Sequence, residues 1–276
     1  MQSRTGEFKR KLLAYITSII ISVLLLGPPL WMIMTAFKRG KDVFAIPPVI
    51  LFLPTLENFI NVVTRTNLLP IVYNTVLVTI LTTILTQAFG TMAAYSISRF
   101  KTGGKFSMYS TLFLRVMPPV VLGLPMFILF NKLGIYDTIL GLTLAYIAFL
   151  MPNTIWLMIA FFNEIPLAIE ECARVDGASR MEVFMKITLP LAKSGIIVTG
   201  IYNIMGAWNH FFYALILSTD NAKVLSVQAS EYVGEYVVRW GEVSAIATLL
   251  ILPPIVLVFI LQNYIEGGLK LGAIKG

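Results

Sequence analysis

Long apolar segments that recur along the chain restrict its fold more than any other feature of the sequence. A helix needs roughly 20 apolar residues to cross the hydrocarbon core of a membrane, and six segments have about that length. The chain is 57% hydrophobic and 13% charged, whereas about a quarter of the residues of a soluble domain are charged. We therefore predict one all-α integral membrane domain over residues 1–276. The predicted transmembrane helices cover residues 12–37, 71–98, 106–130, 138–162, 189–217 and 243–262.

Lysine and arginine are distributed unequally between the two sides of these six segments. The N-terminal segment holds four, the turn after the second helix three, the region between the fourth and fifth helices together with the start of the fifth helix four, and the C-terminal segment two. These 13 exceed the 7 in the remaining loops, so we predict that both termini are cytoplasmic. Because this asymmetry also explains the net charge of +7, we do not predict a nucleic-acid partner.

A polar interruption, Asn163–Pro190, separates the fourth and fifth predicted helices. Pro166 suits the first turn of a helix, and Gly177 suits the left-handed conformation that ends one. Ser179 and Glu182 have the spacing of a capping box, which begins a second helix. We predict a bent pair of helices over residues 166–188, here called the elbow, on the cytoplasmic surface of the membrane.

The elbow and the residues just beyond it carry the spacing E-x-A-x3-G-x9-I-x-L-P. This spacing resembles the cytoplasmic signature of the permease subunits of bacterial ABC importers. The family pattern begins Glu-Ala-Ala, and Cys172 here replaces its second residue. The resemblance implies that the elbow is a coupling-helix pair that docks on an ATP-hydrolysing subunit. The residues that it assigns to this contact are Glu171, Ala173, Arg174, Asp176, Gly177, Ile187, Leu189 and Pro190.

Other stretches resemble the carbohydrate-uptake branch of that family, in particular the maltose-type permeases. They are Asn74-Thr75, Ala93-Ala94-Tyr95, Arg99-Phe100, Pro118-Pro119, Trp208-Asn209 and the C-terminal sequence from Gln262 to Gly276. The resemblance implies a bacterial inner-membrane protein that imports a sugar or oligosaccharide by alternating access. The implied partners are a second homologous permease, two ATPase subunits, an extracytoplasmic solute-binding protein and membrane lipid. It also implies a second ATPase contact in the tail, through Gly268, Leu269, Gly272 and Lys275.

Catalytic and metal sites are not expected in this chain. No G-x-x-x-x-G-K-[ST] phosphate loop is present, so ATP and Mg²⁺ are expected on the partner subunits. A single His and a single Cys cannot supply a ligand set for a metal ion. We therefore predict that the chain is not an enzyme and holds no cofactor of its own.

Polar and aromatic residues within the predicted helices are candidates for the substrate pathway. Arg115 is expected at bilayer depth, where a charge costs about 2.5–3.5 kcal/mol and usually faces protein or water. Asparagine amides with Trp and Tyr rings are suited to binding sugars. Two alternatives stay open, because Arg115 can instead extend to the membrane surface, and Trp and Tyr also mark membrane interfaces. The candidates are Arg115, Asn153, Asn203, Trp208, Asn209 and Tyr213.

Two other functions are compatible with six membrane helices. One is an ABC importer permease for a different solute, such as a polyamine or phosphate. The other is an ion-coupled carrier or channel, which would be expected to have carboxylates within the membrane and repeated halves. In the predicted arrangement every Asp and Glu lies in a loop or at the end of a helix, and no repeat is visible.

Overall fold

Helices form almost all of the regular structure of the chain. The computed structural model describes the backbone of residues 2–233 and 238–273 and the side chains of residues 10–233 and 238–260. Within these ranges the chain has no strand beyond one isolated bridge, which confirms the all-α prediction. The first seven helices are α1 (Gln2–Ala36), α2 (Gly40–Val43), α3 (Glu57–Arg65), α4 (Leu68–Phe100), α5 (Gly104–Val116), α6 (Pro119–Lys132) and α7 (Ile139–Glu164). The others are α8 (Leu167–Val175), α9 (Arg180–Val183), α10 (Leu189–Leu191), α11 (Lys193–Trp208), α12 (Phe212–Leu217), α13 (Leu225–Glu231) and α14 (Trp240–Ala273).

Four of the helices are long and apolar enough to cross a membrane by themselves. In the described residues these segments are Arg10–Ala36, Leu68–Phe100, Ile139–Glu164 and Trp240–Ile260. Two further segments qualify only as bent pairs: α5 with α6, at 96°, and the helical segment Arg180–Leu191 with α11, at 77°. The described part of the chain therefore has four membrane-length helices, or up to six segments of that length if each bent pair is one span.

The third predicted helix, residues 106–130, is interrupted rather than continuous. Met117 and Pro118 have extended backbone conformations between α5 and α6. A residue that precedes proline is disfavoured in the helical conformation, and Met117, Pro118 and Pro119 follow one another here. The consecutive prolines therefore account for the break, and Pro119 begins α6 at a position where proline is well tolerated.

The chain divides into two compact units, the first of which comprises residues 1–68 and 229–251. Asn58 in α3 is buried and donates hydrogen bonds from Nδ2 to the carbonyl oxygens of Ala36, at 2.9 Å, and Lys38, at 2.7 Å. These bonds satisfy carbonyl groups at and just beyond the end of α1. The Glu242 carboxylate, also buried, pairs with Arg65 at 3.3 Å and Arg239 at 3.4 Å. Polar contacts thus join α3 to the ends of α1 and α14 inside this unit.

The second unit comprises residues 69–228 and 252–276, and α7 is its central helix. α7 contributes buried residues to two hydrophobic clusters, one around Tyr146 and one around Phe162. α11 approaches α7 closely: a Cβ on Gly195 would lie 2.5 Å from the ring of Phe161, and one on Gly206 would lie 2.6 Å from Leu150. Small residues allow such close packing between helices in membranes, where no hydrophobic force drives helices together.

Asp137 fixes the loop after α12 to the start of α7. Its backbone N–H donates to the Leu217 carbonyl oxygen at 3.1 Å, and its carboxylate is buried. Burial acts to raise the pKa of Asp137, but hydrogen bonds from backbone N–H groups, led by that of Thr219, outweigh it and hold the pKa well below its usual range. The backbone donors to this carboxylate are Thr219, Asp220, Asn221 and Ala222, at 2.8–3.3 Å.

We expect Asp137→Asn to loosen the loop at residues 219–222, because an amide offers a single acceptor oxygen to several backbone donors. The loss of about 1–3 kcal/mol would speed hydrogen exchange of these amides by about tenfold to hundredfold. The pKa of Asp137 is lower in the folded protein than the value near 3.8 expected in the unfolded chain. The stabilisation by the Asp137 carboxylate is therefore complete at pH values above 3.8 and is lost as the pH falls through the pKa of the folded state. Asp220→Asn, at an exposed neighbouring position, is the control. Equal protection in the two variants would contradict the assignment.

Candidate functional site

The elbow is a helix, a tight turn and a second helix. α8 follows Pro166 and ends at Val175, and Gly177 has a φ of +92°, in the left-handed region that glycine tolerates. The predicted capping box is present, since Ser179 Oγ accepts from the Glu182 backbone N–H at 3.3 Å and the Glu182 carboxylate accepts from that of Ser179 at 3.0 Å. α9 then continues through a π-helical turn, Phe184–Thr188, into α10.

A buried ion pair holds the elbow against the end of α4. Glu170 Oε1 accepts a hydrogen bond from Arg99 Nε at 2.7 Å, and each side chain is only 7% exposed. Tyr95 Oη donates to Glu170 Oε2 at 3.2 Å, and Arg99 Nη2 donates to the Ile165 carbonyl oxygen at 3.0 Å. Both oxygens of the carboxylate are therefore satisfied, which a buried charge requires. The arrangement fixes α8 relative to α4.

Much of the remaining surface of α8 and its C-terminal turn is open. Glu171, Arg174 and Asp176 are exposed, and Val175 is 87% exposed. This exposed surface carries two carboxylates, a guanidinium and an apolar side chain without cover from the described residues of the chain. Such a mixture is suited to contact with another protein rather than with lipid tails.

The residues assigned to the ATPase contact fall into two groups. Of the first five, Ala173 is half-buried, and Glu171, Arg174, Asp176 and Gly177 are exposed. In the second group, Ile187 and Leu189 are half-buried and Pro190 is exposed. Leu189 packs against a cluster that includes Tyr95, Phe162 and Phe184. The first group is thus available for a partner, whereas Leu189 also attaches the elbow to the helices beneath it.

A small cavity, lined by apolar and charged residues, lies beside the ion pair. Its volume is about 150 Å³. Its charged lining residues are Arg99, Glu170, Glu171, Arg174 and Arg180. Arg180 also stacks on the ring of Phe100, with its guanidinium carbon 4.9 Å from the ring centroid. The elbow therefore presents a charged recess as well as an exposed face.

The sequence analysis did not assign Arg99 and Glu170 to the site. Glu170 is not part of the motif that carries the resemblance, whereas its neighbour Glu171 is. Glu170 lies one helical turn after Leu167 and one before Arg174. Arg99 is the only basic residue in the last turn of α4. The opposite charges of Arg99 and Glu170 can be read from the sequence, but nothing in the sequence shows that the two side chains are in contact.

Three of the pathway candidates are buried within the second unit. Asn203 Oδ1 accepts a hydrogen bond from Thr154 Oγ1 at 2.9 Å, and its Nδ2 donates to Gln87 Oε1 at 3.2 Å. Gln87 Nε2 in turn donates to Thr199 Oγ1 at 2.8 Å. This network links α4, α7 and α11. The remaining two buried candidates are Trp208, 9% exposed, and Tyr213, 2% exposed.

The other three candidates are more open. Arg115 is exposed at the end of α5, and its guanidinium carbon lies 5.8 Å from the centroid of the Trp156 ring. Asn209 is exposed at the end of α11, where its Nδ2 donates to the Met205 carbonyl oxygen at 3.0 Å. Asn153 in α7 is half-buried. The role of all six residues in a substrate pathway stays a prediction.

The side chains of the tail residues assigned to a second contact lie outside the described residues. They are Gly268, Leu269, Gly272 and Lys275. In the part of the chain that is described, no three His, Cys, Asp or Glu side chains come together in a group able to hold a metal ion.

Comparison with known proteins places this arrangement in a family. Residues 86–271, which include the elbow, match the family described as binding-protein-dependent transport system inner membrane component. The chain belongs to this family. The predicted resemblance to importer permeases is confirmed, and the protein is a multi-pass permease of the inner membrane.

Relatives of this permease match it from end to end. The trehalose/maltose transport system permease protein MalG of Thermococcus litoralis is 30% identical, covering 98% of this chain and 99% of the relative. The trehalose transport system permease protein SugB of Mycobacterium tuberculosis is 31% identical, covering 95% and 97%. A crystal structure of a bacterial ABC transporter that imports the acidic polysaccharide alginate has the same fold, with a TM-score of 0.78, 21% identity and coverage of 95% and 98%.

The buried ion pair of this permease predicts the effect of charge reversal. Arg99→Glu or Glu170→Arg alone leaves an unpaired buried charge, which costs about 3–5 kcal/mol. We expect either change to release α8 and to make the elbow sensitive to limited proteolysis in the purified protein. The double variant, which restores opposite charges, should recover much of the resistance.

The exposed pair between Lys186 and Glu182, 72% and 47% exposed, is the matched control. Lys186→Ala should change the stability by no more than about 1 kcal/mol. Single charge reversals at Arg99 or Glu170 that resist protease as well as the unmodified permease would show that the pair does not hold the elbow.

Proposed function

We propose that this permease forms half of the translocation pathway of an ATP-driven importer of a sugar or oligosaccharide. The observation that carries the proposal is the elbow, whose charged outer face is open while a buried ion pair fixes its inner face to α4. The names of the two relatives, which refer to trehalose and maltose, support a sugar as the substrate. A sugar is distinguished from another solute, such as a polyamine or phosphate, by binding assays on the cognate solute-binding protein.

The proposed complex has a second homologous permease, two ATPase subunits and a solute-binding protein. The ATPase subunits carry ATP and Mg²⁺ and dock on the elbows, and the solute-binding protein delivers the sugar on the other side of the membrane. The sequence has no phosphate loop for ATP, which supports the proposal that this chain is not an enzyme. Support for the partners comes from the family description, which refers to a binding protein.

Coupling in this proposal is mechanical. Closure of the ATPase subunits moves the elbows, and the movement passes into the membrane helices along three connections. The elbow is continuous in sequence with α7 on one side and with α11 on the other, and the ion pair of Arg99 and Glu170 adds α4. Rigid elements with a few fixed connections can pass a rotation from one site to another. The helices would then alternate between inward-facing and outward-facing arrangements.

The proposed orientation places both termini and the elbow in the cytoplasm, where ATP is available. The greater number of Lys and Arg residues on the predicted cytoplasmic side supports it. Labelling of the elbow by an impermeant reagent in intact cells would contradict this orientation.

Glu171 is the residue that we expect to anchor the ATPase subunit. In Glu171→Lys the permease should insert normally, but ATP hydrolysis should no longer drive sugar uptake, because an attractive contact with the ATPase subunit becomes repulsive. The measurements are sugar uptake and ATP hydrolysis by the reconstituted complex. Glu164→Lys, an exposed acidic residue at the end of α7 and outside the elbow, is the matched control. Unchanged uptake by Glu171→Lys would count against the docking site.

The C-terminal tail is proposed as a second contact with the ATPase subunit. Removal of residues 268–276 should lower the stimulation of ATP hydrolysis by the loaded solute-binding protein without loss of the inserted permease. The amount of permease in the membrane and the stimulated hydrolysis rate are measured together. Full stimulation in the shortened permease would rule out the contact.

A further inference from the structure

An apolar groove runs between α4 and the second half of the elbow, within the second unit. Its volume is about 510 Å³. The amide of Gln87 borders the groove, but its Nε2 donates to Thr91 Oγ1 at 3.3 Å and to Thr199 Oγ1 at 2.8 Å, so this polar group is engaged within the chain. The apolar lining comes from Ile84, Ala88 and Met92 on α4, from Phe184 and Met185 in the π-helical turn, and from Ile196 on α11.

The groove is open on one side. Ile84 is 58% exposed and Met92 is 43% exposed on the α4 wall, and Met185 is 53% exposed on the opposite wall. A contiguous apolar surface without cover marks a contact with a membrane or with another molecule. The groove therefore needs an occupant that is apolar over most of its length.

A cation stands at one end of this groove. A smaller cavity of about 210 Å³ shares Met92 and Phe184 with the groove and continues from them to Phe100 and Arg180. The guanidinium of Arg180 lies over the Phe100 ring, is exposed, and has no carboxylate of the described residues within salt-bridge distance. Its charge is therefore available to an occupant of the groove.

The charged groups around Arg180 leave an excess of positive charge. The recess on its other side is lined by three guanidinium groups and two carboxylates. Glu170 is already paired with Arg99, and Arg174 offsets the charge of Glu171. Arg180 supplies the excess, so an anion is the complementary group at this end of the groove.

The dimensions of the groove distinguish a hydrocarbon chain from a helix. Thr83 and Met92, the first and last lining residues on α4, are separated by about 14 Å along the helix. This length is close to that of one leaflet, since the whole hydrocarbon core is about 30 Å thick. The volume of the groove divided by its length gives a mean cross-section of about 36 Å². A helix with its side chains is about 10 Å across, or about 80 Å² in cross-section, so the groove is too narrow to enclose one.

We propose that this groove binds an anionic phospholipid of the surrounding membrane. An acyl chain lies between α4 and the π-helical turn, and the phosphate accepts hydrogen bonds from the guanidinium of Arg180, which suits phosphate geometry. The bound lipid then attaches the second half of the elbow to the membrane, whereas the ion pair of Arg99 and Glu170 attaches the first half to α4. This inference goes beyond the import of a sugar and does not depend on which solute is transported.

The proposal is tested with photoreactive lipids in the complete complex. The complex is reconstituted in nanodiscs of phosphatidylcholine that contain a small fraction of either phosphatidylglycerol or phosphatidylcholine with a diazirine in the acyl chain. Peptide mapping then measures labelling at Met92 and Met185, relative to labelling at Leu24 of α1, which is 69% exposed. We expect phosphatidylglycerol to label the groove about fivefold more than phosphatidylcholine, because one cationic side chain near a membrane surface favours an anionic lipid by about that factor.

Two pairs of variants separate the cation from the groove. Arg180→Gln should lower labelling by phosphatidylglycerol to the level of phosphatidylcholine, and Lys186→Gln, at a 72% exposed cation that does not line the groove, is its matched control. Ala88→Trp fills the groove from an exposed position and should remove most of the labelling by either lipid. Its control is Phe89→Trp, at the neighbouring residue, which is 54% exposed and does not line the groove.

Three outcomes would overturn the proposal. The first is equal labelling of the groove by the two lipids, and the second is labelling that Ala88→Trp leaves unchanged. The third is a groove that neither lipid labels in the complete complex. In that case a photoreactive amino acid in place of Met185 shows whether the second permease covers the groove instead, because it then crosslinks to that subunit.

Discussion

The buried ion pair between Arg99 and Glu170 is the interaction on which the rest of the proposed mechanism depends. A helix as short as α8 is not stable in isolation, because nucleation is costly and few hydrogen bonds follow it. Its position must therefore come from tertiary contacts. The carboxylate of Glu170 accepts from Arg99 and Tyr95, both on α4, and this attachment leaves much of the remaining surface of α8 free. A surface helix without such an attachment would move by itself and would not transmit the movement of the ATPase subunit to the membrane helices.

Polar side chains within the second unit have two different roles. Gln87, Thr154 and Asn203 satisfy one another inside the helix packing, where an unpaired polar group would be costly. Arg115, in contrast, has no carboxylate within salt-bridge distance among the described residues and is exposed beside the ring of Trp156. The first arrangement stabilises the contacts among α4, α7 and α11. The second leaves a cation exposed, and its role in a substrate pathway stays a prediction.

The elbow shows how far local sequence patterns reach. Ser179, Glu182 and Gly177 act through backbone groups a few residues away, so their pattern predicted both the capping box and the turn correctly. The motif spacing selected Glu171 for the predicted ATPase contact and did not include Glu170, although the two are adjacent. Which of two neighbouring carboxylates is buried depends on the direction that α8 takes across the end of α4. That direction is set by contacts between residues more than 70 positions apart in the chain.

The sequence by itself determined the helical class, the membrane setting and the family, because hydrophobic length and motif spacing are properties of short stretches. It did not determine that residues 106–130 form two helices at a sharp bend, or that Asn203 and Tyr213 are buried while Arg115 is open. Only the tertiary structure decided these points. The side chain that lies opposite each residue comes from a distant part of the chain, and the apolar pattern of a membrane helix is too uniform to show which of its faces meets protein.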